Sequence, residues 1–205
     1  MGLSFFKSKS DTNKVLVIFA HPSIGKSRVN VKLIKALEGI DGIAIHNLYE
    51  NYADFKIDKK AEQSLLLDYD TIVWQHPFYW YSTPALLKQW IDVVLEHGFA
   101  YGKYGKALKG KLILNAITTG GDRNAYQTNG RNNFTINQLL VPFEQTANLC
   151  QMVYLSPFVV HNVYSLNDND IEDYASKYRE AIIALRDNKF STEEIKNKDY
   201  YSDLF

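Results

Sequence analysis

Along the chain, short runs of branched and aromatic residues alternate with stretches whose apolar positions recur every three or four residues. Residues 14–20 (KVLVIFA) are continuously apolar, the pattern of a strand covered on both faces. Val29, Leu33, Ile34 and Leu37 then share one helical face, with Ser27 as the expected N-cap and Gly39 as the stop. Residues 43–48 read as a second strand, 58–67 as a helix and 70–75 (DTIVWQ) as a third strand. From 84 to 96, Leu87, Trp90, Ile91, Val94 and Leu95 face one way and Lys88, Gln89, Asp92 and Glu96 the other. Thr83 can cap this helix, Pro84 suits its first turn and Gly98 ends it. Residues 111–118 (KLILNAIT) form a fourth expected strand, 133–149 a helix that Pro142 should kink, and 152–160 a fifth strand. Ile171, Tyr174, Tyr178, Ala181, Ile182 and Leu185 mark a closing helix.

Five strands with intervening helices predict an α/β fold, a three-layer sandwich around a five-stranded parallel sheet. The domain is expected over residues 14–187, after a flexible extension at 1–13 and before a polar tail at 188–205. Ligands of such folds sit beyond the carboxyl ends of the strands, where the strand order reverses. That rule selects the segments after strands one, three and four.

Composition narrows the functional classes. Lys plus Arg number 23 and Asp plus Glu 23, so there is no basic excess for nucleic acid to recognise. The single Cys150 excludes an internal disulfide and any multi-cysteine metal site, and suits a reducing, cytoplasmic setting. It ends an amphipathic stretch and reads as core. No stretch approaches the roughly 18 apolar residues of a membrane helix. Met1-Gly2 has the start of a myristoylation signal, but Phe6 stands where Ser or Thr is wanted. Aromatic residues are abundant, at 14% of the chain.

The three selected segments carry the chemistry. Residues 21–30 read HPSIGKSRVN, with neither the GxGxxG nor the GxxxxGK[ST] pattern. Hydroxyls, amides and cations remain at a helix start, where unpaired N–H groups favour a phosphate. Ser27 and Asn30 can add donors there and His21 an N–H. Taken alone, the segment also fits a capped βα loop with an incidental histidine. Residues 76–84 read HPFYWYSTP, and four consecutive aromatics cannot all face the core. They suit either a wall for a planar ring or an aromatic subunit interface. Residues 118–126 read TTGGDRNAY, whose paired glycines allow close approach of backbone N–H groups or simply make a turn. His21 and His76 end neighbouring strands, but no carboxylate or cysteine completes a metal set. Together, a phosphate site, an aromatic wall and an amide-rich edge are what a flavin mononucleotide requires.

The stretches FAHPSIGKSRVN, LYENYADFKIDKKAEQ, IVWQHPFYWYSTPALLKQWIDVVLEHGFAYG and AITTGGDRNAY closely resemble the flavodoxin-like NAD(P)H:quinone oxidoreductase family. Within it they are most similar to the ancillary oxidoreductases of glutathione-regulated potassium-efflux systems. The resemblance implies FMN (FAD in some members) as cofactor, NADH or NADPH as donor, a quinone acceptor and a homodimer. It implies flavin contacts at His21 and at Ser27, Arg28, Val29 and Asn30 around the phosphate and ribityl chain. Phe78, Tyr79, Trp80 and Tyr81 would flank the ring, and Thr118, Thr119, Gly120 and Gly121 its pyrimidine edge. Amide donors there would stabilise the negative charge that hydride transfer leaves on the ring.

A Tyr and a His beyond the double glycine serve hydride transfer in such reductases. Tyr126 matches the tyrosine, while Arg131 and Asn132 occupy the region of the histidine. Arg131 would act as a fixed cation, not as a proton shuttle. Arg123 and Lys103 read either as contacts to a nicotinamide phosphate or as solvated charges. A different implication of the same resemblance is a regulatory subunit, peripheral at the inner face of the membrane, docked on a potassium-efflux antiporter. A flavodoxin-type electron carrier is disfavoured by the neutral charge.

Overall fold

Residues 12–205 are described by a computed structural model; Met1-Gly2 and nearly all of the expected 1–13 extension lie outside them. Among the described residues six strands form one parallel sheet: β1 (Val15–Phe19), β2 (Ile43–Asn47), β3 (Thr71–Pro77), β4 (Leu112–Thr118), β5 (Val153–Tyr154) and β6 (Phe158–Val160). The order is β2-β1-β3-β4-β5, with β6 also paired to β4. Every pairing is parallel, so the carboxyl ends of β1, β3 and β4 open on one edge. The order reverses between β1 and β3, and the crevice lies there.

The intervening helices are α1 (Arg28–Lys35), α2 (Leu48–Asn51), α3 (Lys59–Leu67), α4 (Ala85–Val94), α5 (Ile136–Leu139), α6 (Val141–Leu149), α7 (Asp168–Arg186) and α8 (Thr192–Lys196). Alternate strand residues point to opposite faces. Val15, Val17, Val73 and Leu114 pack against α1 and α7. Leu16, Ile18, Ile72, Trp74 and Ile113 pack against α3, α4 and α6. The continuous apolar run at 14–20, read as a strand covered on both faces, is therefore buried on both faces.

Two elements differ from the expectation. The helix expected over 133–149 is two helices, α5 and α6, divided at Leu140. Pro142 has no N–H and occupies the first turn of α6, where none is needed. The expected fifth strand is also divided. Ile113 pairs with Tyr154 and Ala116 with Phe158, so the edge strand carries one residue more than β4 between these pairs. This bulge contains Pro157, which cannot donate to a ladder.

Glu62 ties α3 to its neighbours. It is 2% exposed and accepts from Trp90 Nε1 at 2.7 Å, Tyr52 Oη at 2.5 Å and His46 Nε2 at 2.8 Å. Burial alone pushes its carboxyl up, but these three hydrogen bonds outweigh that and hold it below its ordinary value. The tail beyond residue 188 is folded onto the domain, with Ile195, Tyr200 and Tyr201 buried. Cys150 is buried in the core between α6 and the sheet, and burial pushes its thiol up to about 11.

Candidate functional site

At the carboxyl end of β1 the chain enters the first turn of α1. Ser27 caps this helix: its Oγ accepts from Asn30 N at 3.2 Å and from Asn30 Nδ2 at 3.0 Å. Asn30 Nδ2 also donates to Thr118 Oγ1, at 3.0 Å, across to the end of β4. Both amide hydrogens of Asn30 are thus engaged inside the protein, unlike the free donors expected from the sequence. The hydroxyl hydrogens of Ser27 and Thr118 remain available, because both oxygens act here as acceptors. Asn30 is 2% exposed and its Oδ1 has no partner. A buried acceptor without a donor calls for a ligand hydroxyl or amide. The N–H groups of Arg28 and Val29, in the first turn of α1, have no protein acceptor among the described residues.

His21 is 6% exposed and its Nδ1 accepts from Ser23 N at 3.1 Å. The neutral ring therefore carries its hydrogen on Nε2, and burial holds it below the ordinary histidine range. Arg28 is differently placed from the expectation of a phosphate contact. Its guanidinium donates to Asp168 at 2.6 Å and to the Leu166 carbonyl at 3.3 Å, so its backbone N–H, not its side chain, is the free donor. Val29 is buried beneath the loop.

The loop after β3 turns sharply. Ser82 N donates to Tyr79 O at 3.0 Å, and the two residues between, Trp80 and Tyr81, have φ of 50° and 61°. Positive φ at both central positions is the type I′ pattern, normally filled by Asn or Gly. Two bulky aromatics there are strained, a feature concentrated at functional sites. Beneath the loop, His76 is fully buried. Its Nδ1 donates to Pro77 O at 3.0 Å, its Nε2 accepts from Asn115 Nδ2 at 3.0 Å, and Tyr154 Oη donates to Asn115 Oδ1 at 2.7 Å. Burial holds His76 down at about 4, so it is a neutral structural group.

The loop after β4 holds Thr119 inward. Thr119 Oγ1 donates to Gly121 O at 2.8 Å, so His161 Nδ1, 3.0 Å away, donates to Thr119. Neither glycine has a positive φ. Space matters at Gly121, where a Cβ would lie 3.1 Å from the buried Tyr126 ring; one on Gly120 would lie 2.7 Å from the exposed Tyr164 ring, which could swing aside. The N–H groups of Gly120, Gly121 and Asp122 find no protein acceptor among the described residues.

These segments enclose a cavity of about 510 Å³. Its walls include His21, Ser27, Arg28, Val29 and Asn30 from the first loop, Phe78 and Tyr79 from the second, and Thr118 and Gly120 from the third. Trp80, 92% exposed, and Tyr81 stand outside the walls, at the surface. Thr119 and Gly121 flank Gly120 without themselves lining the cavity. Tyr126 is buried edge-on to Phe78, with ring centroids 6.2 Å apart, and Arg131 approaches Gly121 on the same side. Burial raises the Tyr126 phenol, reinforced by Tyr81 and opposed by Arg131, so the hydroxyl keeps its proton. Arg123 is held in a bidentate pair with Asp203, both contacts 2.8 Å, and is not free for a ligand.

Val163, Tyr164, Ser23 and Lys26 also line the cavity and were not selected from the sequence. Val163 and Tyr164 follow the carboxyl end of β6, and the rule applied to strands one, three and four would have found them if extended to the fifth. His161, beside Tyr126 at a 5.8 Å centroid separation, belongs to the same segment. Among the described residues no group of three His, Cys, Asp or Glu could hold a metal ion, and no helix is long and apolar enough to cross a membrane.

The profile of the flavodoxin-like fold family matches residues 13–182. The glutathione-regulated potassium-efflux system ancillary protein KefF of Enterobacter sp. (strain 638) is 42% identical over 169 residues, covering 82% of this chain and 95% of that protein. An uncharacterised NAD(P)H oxidoreductase, YrkL, of Bacillus subtilis (strain 168) is 44% identical, covering 80% and 94%. Among solved structures, general stress protein 14 of Treponema denticola, in complex with FMN, is 40% identical with a TM-score of 0.81, covering 84% and 99%. An NADPH-quinone reductase from P. pentosaceus is 36% identical with a TM-score of 0.75, covering 82% and 96%. The cavity at the strand-order reversal and these likenesses agree: the chain belongs to the flavodoxin-like family, in its NAD(P)H oxidoreductase and quinone reductase branch.

Proposed function

We propose that the cavity binds FMN and that the protein is an NAD(P)H:quinone oxidoreductase. The observation that carries this reading is the sorting of free hydrogen-bonding groups along one wall. At the start of α1 stand donors for a phosphate: the Ser27 hydroxyl, the N–H groups of Arg28 and Val29, and His21 Nε2–H. Beside them the buried, unpartnered Asn30 Oδ1 suits a ribityl hydroxyl, and the Thr118 hydroxyl can donate to the same chain. The bound flavin supplies a ring that accepts a hydride from NAD(P)H and passes two electrons to a quinone. Phe78 and Tyr79 hold the ring, and the free N–H of Gly120, with that of Gly121 beside it, serves the edge where negative charge develops. Tyr126 keeps a protonated hydroxyl near that edge, and Arg131 adds positive charge where negative charge accumulates.

Trp80 and Tyr81 are assigned to the outer face of the ring and to the two-fold interface of a homodimer, because large exposed aromatics on a strained turn suit a partner surface. The setting is cytoplasmic. FAD, and the choice between NADH and NADPH, are decided by the same experiment as the main reading. Purified protein reconstituted with FMN or FAD should show an oxidised-flavin spectrum, be bleached by NAD(P)H and be reoxidised by a quinone. Absence of bound flavin after reconstitution would sink the proposal.

A second reading, a regulatory subunit of a potassium-efflux antiporter, is favoured by the likeness to KefF over 169 residues. Activation of such an antiporter by a variant that binds flavin but does not turn over would select it over the enzyme.

A further inference from the structure

Beyond the matched residues 13–182 the chain continues through α8 to a terminal turn at Tyr201–Leu204. This segment crosses the end of β6 and reaches the loop after β4. Tyr201 N donates to Pro157 O at 2.8 Å, and Tyr201 Oη to Ala181 O at 2.9 Å. Asp203 grips the Arg123 guanidinium with two 2.8 Å bonds. The same guanidinium lies 4.5 Å over the Tyr200 ring, with Asp199 at 3.7 Å. The other neighbour of Tyr200 is His161, at a centroid distance of 5.4 Å. His161 donates to Thr119, and Thr119 to the carbonyl of Gly121.

Gly120 and Gly121 have no side chains with which to pack, and their free N–H groups add no internal bonds. A glycine pair has more conformational freedom to lose than any other, so the loop needs outside restraint. Both acidic partners of Arg123, the cation of this loop, come from the C-terminal segment. His161 has to be neutral, since its Nε2 is buried without a partner and faces no acceptor that would stabilise a second proton. Tyr200 on one side and Tyr126 on the other keep water from it, and the Arg123 charge further opposes protonation.

We propose that the C-terminal segment positions the Thr119–Gly121 edge of the ligand cavity: Asp203 and Tyr200 act through Arg123 and His161 to hold the glycine N–H groups at their ligand. These are positioning residues and touch no reacting atom. The inference rests on the flavin reading of the cavity only for the identity of the ligand.

The test compares wild type, Asp203→Asn, Tyr200→Leu, the single charge changes Arg123→Asp and Asp203→Arg, and the charge swap that combines them, each as the full chain. Amide hydrogen exchange is measured without ligand, and FMN affinity by fluorescence quenching. Asp203→Asn should speed exchange at the bonded amides that tie down this loop, Thr119 N–H on Val160 O, Asn162 N–H on Gly121 O and Val163 N–H on Thr119 O, by about five- to tenfold, leave β1 and α1 unchanged and weaken FMN binding by a similar factor. Tyr200→Leu should do the same, and the charge swap should recover most of the loss relative to either single charge change. Unchanged exchange at the loop would overturn the proposal, and so would faster exchange with unaltered FMN affinity. If wild type binds no FMN, the flavin reading fails by itself, and the exchange arm still judges the brace.

Discussion

Asn30 is the residue on which the cavity chemistry turns, and Asn30→Asp separates its roles. The change is isosteric. The new carboxylate oxygen replaces Nδ2 between Ser27 Oγ at 3.0 Å and Thr118 Oγ1 at 3.0 Å, and both hydroxyls can rotate to donate to it. The fold should survive. Those two hydroxyl hydrogens are then withdrawn from the ligand, and a negative charge stands beside the phosphate site. At a separation of roughly 6 Å and an effective dielectric of about 20, a unit charge and a phosphate dianion repel by about 5 kcal/mol. Losing two hydrogen bonds to the ligand adds about 1 kcal/mol each. FMN affinity should therefore fall by at least a thousandfold at low salt. Riboflavin, which has no phosphate, should lose only the hydroxyl contribution, about tenfold. Quenching titrations of both ligands into wild type and variant give the difference directly. Equal losses for FMN and riboflavin would show that the phosphate does not sit at the start of α1, and near-wild-type FMN binding would refute the whole assignment of Asn30.

Three other outcomes follow from the geometry. Glu62→Gln keeps one oxygen for Tyr52 and His46 but turns its amide against the Trp90 indole, leaving a buried donor unpaired; it should cost about 2–4 kcal/mol by urea unfolding. That cost should shrink in a Trp90→Phe background, and an unchanged cost there would refute the assignment. His76 and His161 sit at about 4 in the folded protein, below the ordinary 6.5, so the unfolded chain takes up protons first on acidification. Stability is full above about pH 6.5 and should fall toward pH 4 by about 1.4 kcal/mol per pH unit for each histidine. Glu62, held below its ordinary value, adds its own loss only at more acidic pH as it titrates. Urea midpoints in His161→Gln should show a shallower slope than wild type, with the remainder carried by His76 and by His21, and an equal slope would count against the neutral assignment. Trp80→Gly removes a side chain 92% exposed from a left-handed position, so it should leave the folding stability within about 1 kcal/mol of wild type while weakening FMN binding. A large fall in melting temperature would mean that Trp80 is packed as no exposed side chain should be.

How far the chain could be read depends on the range of the forces involved. Alternation of apolar runs with 3.6-residue periodicity is local, and it disclosed the parallel sheet, its covered faces and the crevice beyond β1, β3 and β4. Ser27 as the cap of α1 was legible for the same reason, since a cap bonds three residues along its own chain. The aromatic run at 78–81 announced its position, but not that Trp80 and Tyr81 turn outward, because that follows from backbone angles closed by a Tyr79–Ser82 bond. Partners distant in sequence were invisible: Asn30 finds Thr118 across 88 residues, Arg123 finds Asp203 across 80, and His161 finds Thr119 across 42. Those bonds decide which donors are free to meet a ligand. The residue types that the proposed phosphate and ring site needs were written in the sequence; which of their hydrogens and lone pairs remain unspent was settled only when the sheet brought distant strand ends side by side.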